Sequence, residues 1–511
     1  MSERAVPLPA ANLPSANLPS GRRRSVSSGK TRLAASIVAC ALFMQNLDST
    51  VISTALPTMA RAFGADPVHM NVALTSYLLS LAVFIPTSGW MADRFGTRTV
   101  FRAAIIVFTL GSVLCGRADT LAFLVFARIV QGLGGAMMVP VGRLVLVRTA
   151  PKSELIAAMA WLSMPALIGP VVGPPLGGFI VTYFSWRWIF DINVPIGIAG
   201  AVLVTLFIED VRESNHTRLD FLGLAFCGVA LVATMAGLET VGRGLVPPAI
   251  TVVLLGIGVA GGVGYWIHAR SHPAPLLDLG LLRIPTFQVS VLAGSLFRVG
   301  IGAIPYLLPL MLQLGFGLTP VQSGTITFVS SAGALVMKPV AMTALRRFGF
   351  RNTLLYNGAV SALLLAACAA VRPSWPVLGL YAVLLAGGFL RSLQFTAYNA
   401  LAYADIPRPR MSGATSLYST IQQVSITLGI SLGAASLQFA MTLQGVARPT
   451  LDDFSFGFLV VGLVSLLAAP TSLMMPAQAG VELSGHAHRS PGGTGPVREG
   501  SVRNGAEPDE G

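Results

Sequence analysis

Charge is scarce in this chain. Only 11% of its 511 residues are Asp, Glu, Lys or Arg, while 53% are hydrophobic, and the mean hydropathy is +0.71. A soluble protein of this length could not bury so much apolar surface, so a soluble fold is excluded and a polytopic membrane protein is expected. Acids are the scarcer sign, 21 against 34 Lys and Arg, which leaves a net charge of +13. The basic residues are scattered singly over many short loops, which speaks against a nucleic-acid partner. The four cysteines, Cys40, Cys115, Cys227 and Cys368, all fall inside apolar runs without disulfide or metal spacing and read as small packing residues. No metal and no cofactor are expected. The chain lacks a GxxxxGK[ST] phosphate loop, which speaks against direct use of ATP. It also lacks an HExxH motif or a Ser/His/Asp grouping within the apolar runs, so an enzyme is not expected.

What the chain has is long apolar runs. Fourteen are of spanning length, the first near residues 33 to 56 and the last near 454 to 475. They must be helices, because backbone in hydrocarbon has to satisfy its own hydrogen bonds and the runs are too long for barrel strands. Orientation follows from Lys and Arg. With the amino terminus in the cytoplasm, the opposite loops hold only Arg61, Arg117, Arg187, Arg243, Arg372 and Arg448, so both termini are expected in the cytoplasm and the protein in the inner (plasma) membrane.

The charged turn GWMADRFGTRTVFR, Gly89 to Arg102, joins the second and third runs, and its pattern returns 253 positions later, Gly96 standing against Gly349. The same offset sets Gly134 and Gly135 on Gly387 and Gly388. This internal duplication predicts two six-helix bundles, 33–210 and 285–475, around a segment 211–284 that carries two inserted helices. Parallel halves of this kind suggest a central cavity and alternating access by rocking. The Pro- and Ser-rich arm 1–32 and the Gly- and Ser-rich tail 476–511 are expected to be disordered and cytoplasmic.

Several stretches resemble motifs of one family. GWMADRFGTR (Gly89 to Arg98) looks like the cytoplasmic loop of the major facilitator superfamily. LDSTVISTALP (Leu47 to Pro57), RIVQGLGGAMMVP (Arg128 to Pro140), GPVVGPPLGG (Gly169 to Gly178) and WRWIFDINVPIG (Trp186 to Gly197) are similar to motifs of its fourteen-span drug:proton antiporters, the EmrB/QacA-like group. LPLMLQLGFG (Leu308 to Gly317) and FLRSLQFTAYNALAYADIP (Phe389 to Pro407) resemble the HsrA-like branch. The resemblance implies an all-α major facilitator fold and a proton-coupled antiporter exporting small amphipathic compounds, with protons and membrane lipid as its other partners and a periplasmic adaptor left open. A proton-coupled importer and a non-transporting membrane sensor are the rival readings. The antiporter glycine and proline pattern speaks against the first, and a deep lone Asp would go unexplained in the second.

Asp48 is the most informative single residue. It lies about 15 residues into the first run, roughly 22 Å deep at ~1.5 Å per residue. A carboxylate at that depth is costly unless protonated, paired or facing water, and hydrocarbon disfavours its charge, as a group passing protons between compartments requires. By resemblance Asp48 is the coupling acid and Arg128 the arginine beside the proton site. A structural ion pair, or an Arg128 that bonds helix carbonyls, is the alternative. Gly89, Asp93, Arg94, Gly96 and Arg98 form a candidate conformational latch, Asp93 pairing with Arg94, Arg98 or a basic group of a neighbouring helix. The second half has Arg346 in place of Asp93 and is expected to lack the latch. Gly169, Pro170, Gly173, Pro174, Gly177 and Gly178 form a candidate antiporter hinge, or a close helix contact, and the two do not exclude each other.

In the second half Arg298 and Arg391 fall near the membrane midplane with no deep Asp or Glu to balance them. They motivate an anionic or zwitterionic substrate, with Gln45 and Gln394 as further lining residues; arginines satisfied by carbonyls are the alternative. Arg187 and Asp191 are expected to pair one helical turn apart, and Trp186 and Trp188 to form an interfacial belt. Glu239 is expected at the surface.

Overall fold

The structure, a computed structural model, describes residues 28–149, 155–210, 219–240, 247–272, 275–407, 410–446 and 448–475. Residues 1–27 and 476–511, and the side chains of Pro170 and Glu239, lie outside the described residues. Among the described residues, thirteen helices are long and apolar enough to cross a membrane. A further 29-residue helix, Leu155–Tyr183, stands in the place of the fifth span. The fourteen spans in chain order are Arg32–Phe63, Pro67–Phe95, Thr97–Gly116, Leu121–Leu146, Leu155–Tyr183, Trp188–Phe207, Phe221–Leu238, Pro248–Ser271, Pro285–Gly315, Pro320–Ala341, Phe350–Ala370, Val377–Leu401, Gly413–Gln444 and Leu451–Met474. The first helix begins at Ser28, inside the stretch expected as a disordered arm.

Local sequence explains how these helices start and stop. Thr319 caps the tenth span ahead of Pro320: its backbone N–H donates to the Gln322 side chain at 3.0 Å while its hydroxyl accepts from Gln322 N–H. Thr450 and Asp453 repeat the device at the fourteenth span. The duplicated turn is built on the same backbone in both halves. Gly96 has φ +91° and Gly349 φ +72°, a region that side chains other than glycine's rarely tolerate. At Gly96 the absent side chain also makes room for Asp210 at the end of the sixth span, whose Oδ1 accepts from Arg98 N–H at 3.2 Å.

The buried apolar residues divide in an informative way. On the face away from the termini a single core takes residues from both halves, among them Val51, Leu56, Phe190, Tyr306, Leu437 and Phe458. On the termini face the core is split. One part belongs to the first half, with Phe101, Phe108 and Met138, and another to the second, with Phe297, Leu345 and Leu401. The far face is also where the halves exchange hydrogen bonds. Tyr306 Oη donates to Val68 O at 2.6 Å, Gln313 Nε2 to Thr54 O at 3.0 Å and Val321 N–H to Thr182 Oγ1 at 3.2 Å. The two halves are therefore interlocked at the end remote from the termini.

The seventh and eighth spans pack chiefly on each other, and the seventh touches the second and thirteenth. Only 28% and 17% of their apolar windows are buried, against 61% and 67% for the first two spans, so the inserted pair flanks the bundle with its sides turned outward. Asp220 caps the seventh span. Burial by itself would raise its pKa, but hydrogen bonds from Gly223 N–H, His268 and Leu276 N–H outweigh this and hold the carboxyl below its ordinary range.

Two expectations are corrected at the far end of the sixth span. Arg187 and Asp191 do not pair. Arg187 Nη2 bonds Asp119 at 2.8 Å and Ala118 O at 3.0 Å, while Asp191 faces Arg117 at 3.9 Å. The helix starts only at Trp188, so Arg187 lies before it and projects across to the third-to-fourth connection. Trp186 is no belt residue either: it is 4% exposed and meets Phe63 edge-on at 5.4 Å, whereas Trp188 is 57% exposed.

Candidate functional site

The first half encloses a polar network in an otherwise apolar interior. Asp48 projects from the first span and Arg128 from the fourth, and Arg128 Nη1 meets Asp48 Oδ2 at 2.6 Å with both side chains almost fully buried. The other carboxylate oxygen accepts from Gln131 Nε2 at 2.9 Å and Asn193 Nδ2 at 3.0 Å. Ser112 Oγ closes the ring, accepting from the same Gln131 and Asn193 amides at 2.7 and 3.1 Å. Arg128 Nε also donates to Ala73 O at 3.0 Å and Nη1 to Gln131 Oε1 at 2.6 Å, while Nη2 has no hydrogen-bond partner among the described residues; the guanidinium lies 4.2 Å from the Tyr77 ring centroid. Five spans thus converge on one carboxylate. The depth of Asp48 and Arg128 singled them out in the sequence; Gln131, Ser112, Asn193 and Tyr77 did not stand out, since one polar residue in an apolar run reads equally well as a helix bridge.

Chemically this is a carboxylate with three donors aimed at it. Oδ2 accepts one of these hydrogen bonds and Oδ1 the other two. The polar partners described all come from the first half, and Asp48 is buried among them.

The glycine row of the fifth span lies directly behind this network. A methyl on Gly173 would stand 2.1 Å from Thr50 Oγ1 and one on Gly177 2.5 Å from Val51 O, while Gly169 O lies within 3.5 Å of the Thr50 hydroxyl. The first span can sit against the fifth only because this face carries no side chains. Gly178, one position on, faces the tenth span: a methyl there would lie 2.4 Å from Pro320 O. Gly324 of the tenth span meets Pro174 O in the same way, at 2.2 Å.

In the latch segment, Arg94 lies 5.7 Å from the Trp90 ring and 5.9 Å from Phe95. Gly89 has open space around it. Gly96 and Arg98 are tied to Asp210, a partner the sequence did not reveal because it lies 112 positions from Arg98. Asp93 sits in the last turn of the helix that Gly96 ends.

The second-half residues do not gather at one point. Arg298 is 1% exposed, donates to the Tyr418 hydroxyl and to Asn399 Oδ1 at 3.3 Å, and lies 5.4 Å from the Phe395 ring. Its Nε and Nη1 have no hydrogen-bond partner among the described residues. Arg391 donates to Ser330 Oγ at 2.6 Å. Gln394 turns the other way, donating to Leu354 O at 2.9 Å and accepting from Asn357 at 2.9 Å. Gln45 lies on the first span, three positions before Asp48, with Oε1 buried. Lys338 is half-buried and donates to Thr396 at 3.2 Å.

Comparison with known proteins fits this architecture. The family model of the Major Facilitator Superfamily matches residues 38–430 and again 290–478. The chain belongs to the Major Facilitator Superfamily. Within this superfamily it is 38% identical over 435 residues to the putative multidrug resistance protein MdtD of Pectobacterium atrosepticum, covering 85% of this chain and 93% of that protein. It is 39% identical over 448 residues to the protein of the same name from Serratia proteamaculans, covering 86% and 93%. Among solved structures it is similar to an auto-inhibited POT family peptide transporter, with a TM-score of 0.63, 14% identity and coverage of 91% of this chain and 99% of that one. The human organic anion transporter MFSD10 gives a TM-score of 0.56 at 13% identity, covering 86% and 99%. At such identities the likeness is one of fold. The protein is a multi-pass membrane transporter.

Proposed function

We propose that this transporter is a proton-driven antiporter that exports small amphipathic compounds, working in the inner membrane with both termini in the cytoplasm. The relatives named multidrug resistance proteins support the efflux reading. The observation that carries the coupling is the buried Asp48–Arg128 pair at 2.6 Å. In this reading the chain works as two six-helix halves, 33–210 and 285–475, about the inserted segment 211–284, and the far face is closed in the state described. In the opposite state a shift of the first span within its own half parts Asp48 from Arg128 and lets the carboxylate take up and release a proton. The fifth-span glycines and prolines serve as the pivot, and the Gly89–Arg98 turn as a latch on the termini side.

The substrate class we propose is anionic or zwitterionic. The support is Arg298, buried in the second half with two guanidinium nitrogens unpartnered and no carboxylate bonded to it among the described residues, together with Arg391. The test is purified protein in liposomes with an imposed pH gradient, supplied with acidic and cationic dyes. Asp48→Asn is expected to abolish gradient-driven accumulation, and Arg298→Ala and Arg391→Ala to lower transport of acidic dyes selectively. Equal transport by wild type and Asp48→Asn overturns the coupling role. Undiminished transport of every anion by both arginine variants overturns the substrate class.

A further inference from the structure

The cysteines lack ligand spacing and point to no metal. The fold nevertheless assembles three other ligand-type residues at the termini-side end of the inserted helix pair. Asp220 stands just ahead of the seventh span, His268 in the last turn of the eighth, and His272 at the residue that ends that helix. Their candidate ligand atoms all lie within 4.8 Å of one another, with Asp220 buried and both histidines half-buried. The spacing of His268 and His272, four apart, puts both on one helix face, and their ring centroids are 5.0 Å apart.

We propose that Asp220, His268 and His272 form a binding site for a divalent transition-metal ion. Two imidazoles and one carboxylate are the donor set of zinc, cobalt and nickel rather than of magnesium or calcium, and three protein ligands leave a fourth position for water. The carboxylate is already oriented for the task. Asp220 Oδ1 accepts from Gly223 N–H at 2.7 Å and Oδ2 from Leu276 N–H at 3.2 Å, and Oδ1 lies 2.7 Å from His268 Nε2. The Leu276–Leu277 strap is itself pinned, because Tyr265 Oη donates to Leu277 O at 2.9 Å and accepts from Leu277 N–H at 2.6 Å. Such outer contacts fix the direction of a ligating group. Tetrahedral bonds of ~2.0 Å set ligand atoms about 3.3 Å apart, so pairs within 4.8 Å close by at most roughly 1.5 Å, while Asp220 Oδ1 and His268 Nε2, now 2.7 Å apart, open by roughly 0.6 Å. A metal there would exchange the Asp220–His268 hydrogen bond for a bridge joining the start of the seventh span to the end of the eighth, beside the strap that leads into the second half.

The test uses the full-length protein in detergent micelles, stripped with a chelator and titrated with Co2+ alone, followed by visible absorption and by metal content after desalting. The expected result is saturable uptake of one ion per chain, competed by Zn2+, and weakened at least tenfold in His268→Ala, His272→Ala and Asp220→Asn. Because the tail also carries His486 and His488, the double variant His486→Ala/His488→Ala is expected to bind as wild type does. The decisive variant is His272→Ala, which leaves the Asp220 cap and its bond to His268 in place. Absence of saturable uptake, or uptake unchanged in His272→Ala, overturns the site.

Discussion

Neutralising Asp48 while leaving Arg128 in place is the sharpest test of how the first half is held together. Asn at 48 can keep its carbonyl toward Gln131 and Asn193, which now bond Oδ1 at 2.9 and 3.0 Å. Its amide then points a donor at Arg128 Nη1, where Oδ2 accepts today at 2.6 Å. Flipping the amide restores that contact and loses the other two. Either way a guanidinium with no exposure keeps its charge without a counter-charge. Removing one partner of a buried pair costs about 3 to 5 kcal/mol, whereas replacing both by neutral groups of similar volume is often close to neutral. Asp48→Asn alone should therefore shift the unfolding equilibrium roughly a hundredfold to several thousandfold. The double variant Asp48→Asn/Arg128→Met should recover most of that loss. Equilibrium unfolding in mixed micelles measures stability, and a pH gradient across liposomes measures transport, which should fail in both variants. If the single-variant effects add to within about 0.5 kcal/mol, or if Asp48→Asn unfolds as wild type does, the pair is not what holds these helices together.

Three further outcomes follow from the packing. Gly178→Ala would place a methyl 2.4 Å from Pro320 O, and overpacking of this kind costs about 1 to 3 kcal/mol. It should loosen the far face, read as a lower disulfide yield between Thr182→Cys and Val321→Cys. Gly96→Ala meets both a positive φ and Asp210 Oδ1 at 2.2 Å, so it should cost more than the ~1–2 kcal/mol of the backbone conformation alone. Introducing it into an Asp210→Ala background should recover the excess, as judged by unfolding midpoints. Tyr306→Phe removes a hydrogen bond from the second half to Val68 O, and should lower the same Thr182–Val321 cross-link without altering expression.

The fourteen spans and the duplicated turn were legible because hydrocarbon imposes length and helicity on any sequence within it. Asp48 and Arg128 were legible for the same reason, charge at that depth being too costly to be incidental. What escaped was side-chain company fixed by tertiary contact. Gln131, Ser112 and Asn193 come from the fourth, third and sixth spans, and no spacing rule joins them. Asp220 meets His268 across 48 positions and Asp210 meets Arg98 across 112. The Arg187–Asp191 pairing failed because it assumed a helix through a residue that lies before the helix begins.

The closest approaches in the seam between the fifth and tenth spans are to main chain, Gly178 against Pro320 O and, reciprocally, Gly324 against Pro174 O, with the Thr182 hydroxyl bonded to Val321 N–H beside them. Closure at these contacts carries no titratable group, so the seam cannot itself respond to a proton. The first span is the mechanical link. Asp48 holds the ion pair, Thr50 and Val51 mesh with the glycine row, and the Thr54 carbonyl grips Gln313 of the opposite half. One continuous helix thus carries both the buried charge and the grip on the opposite half, six residues apart.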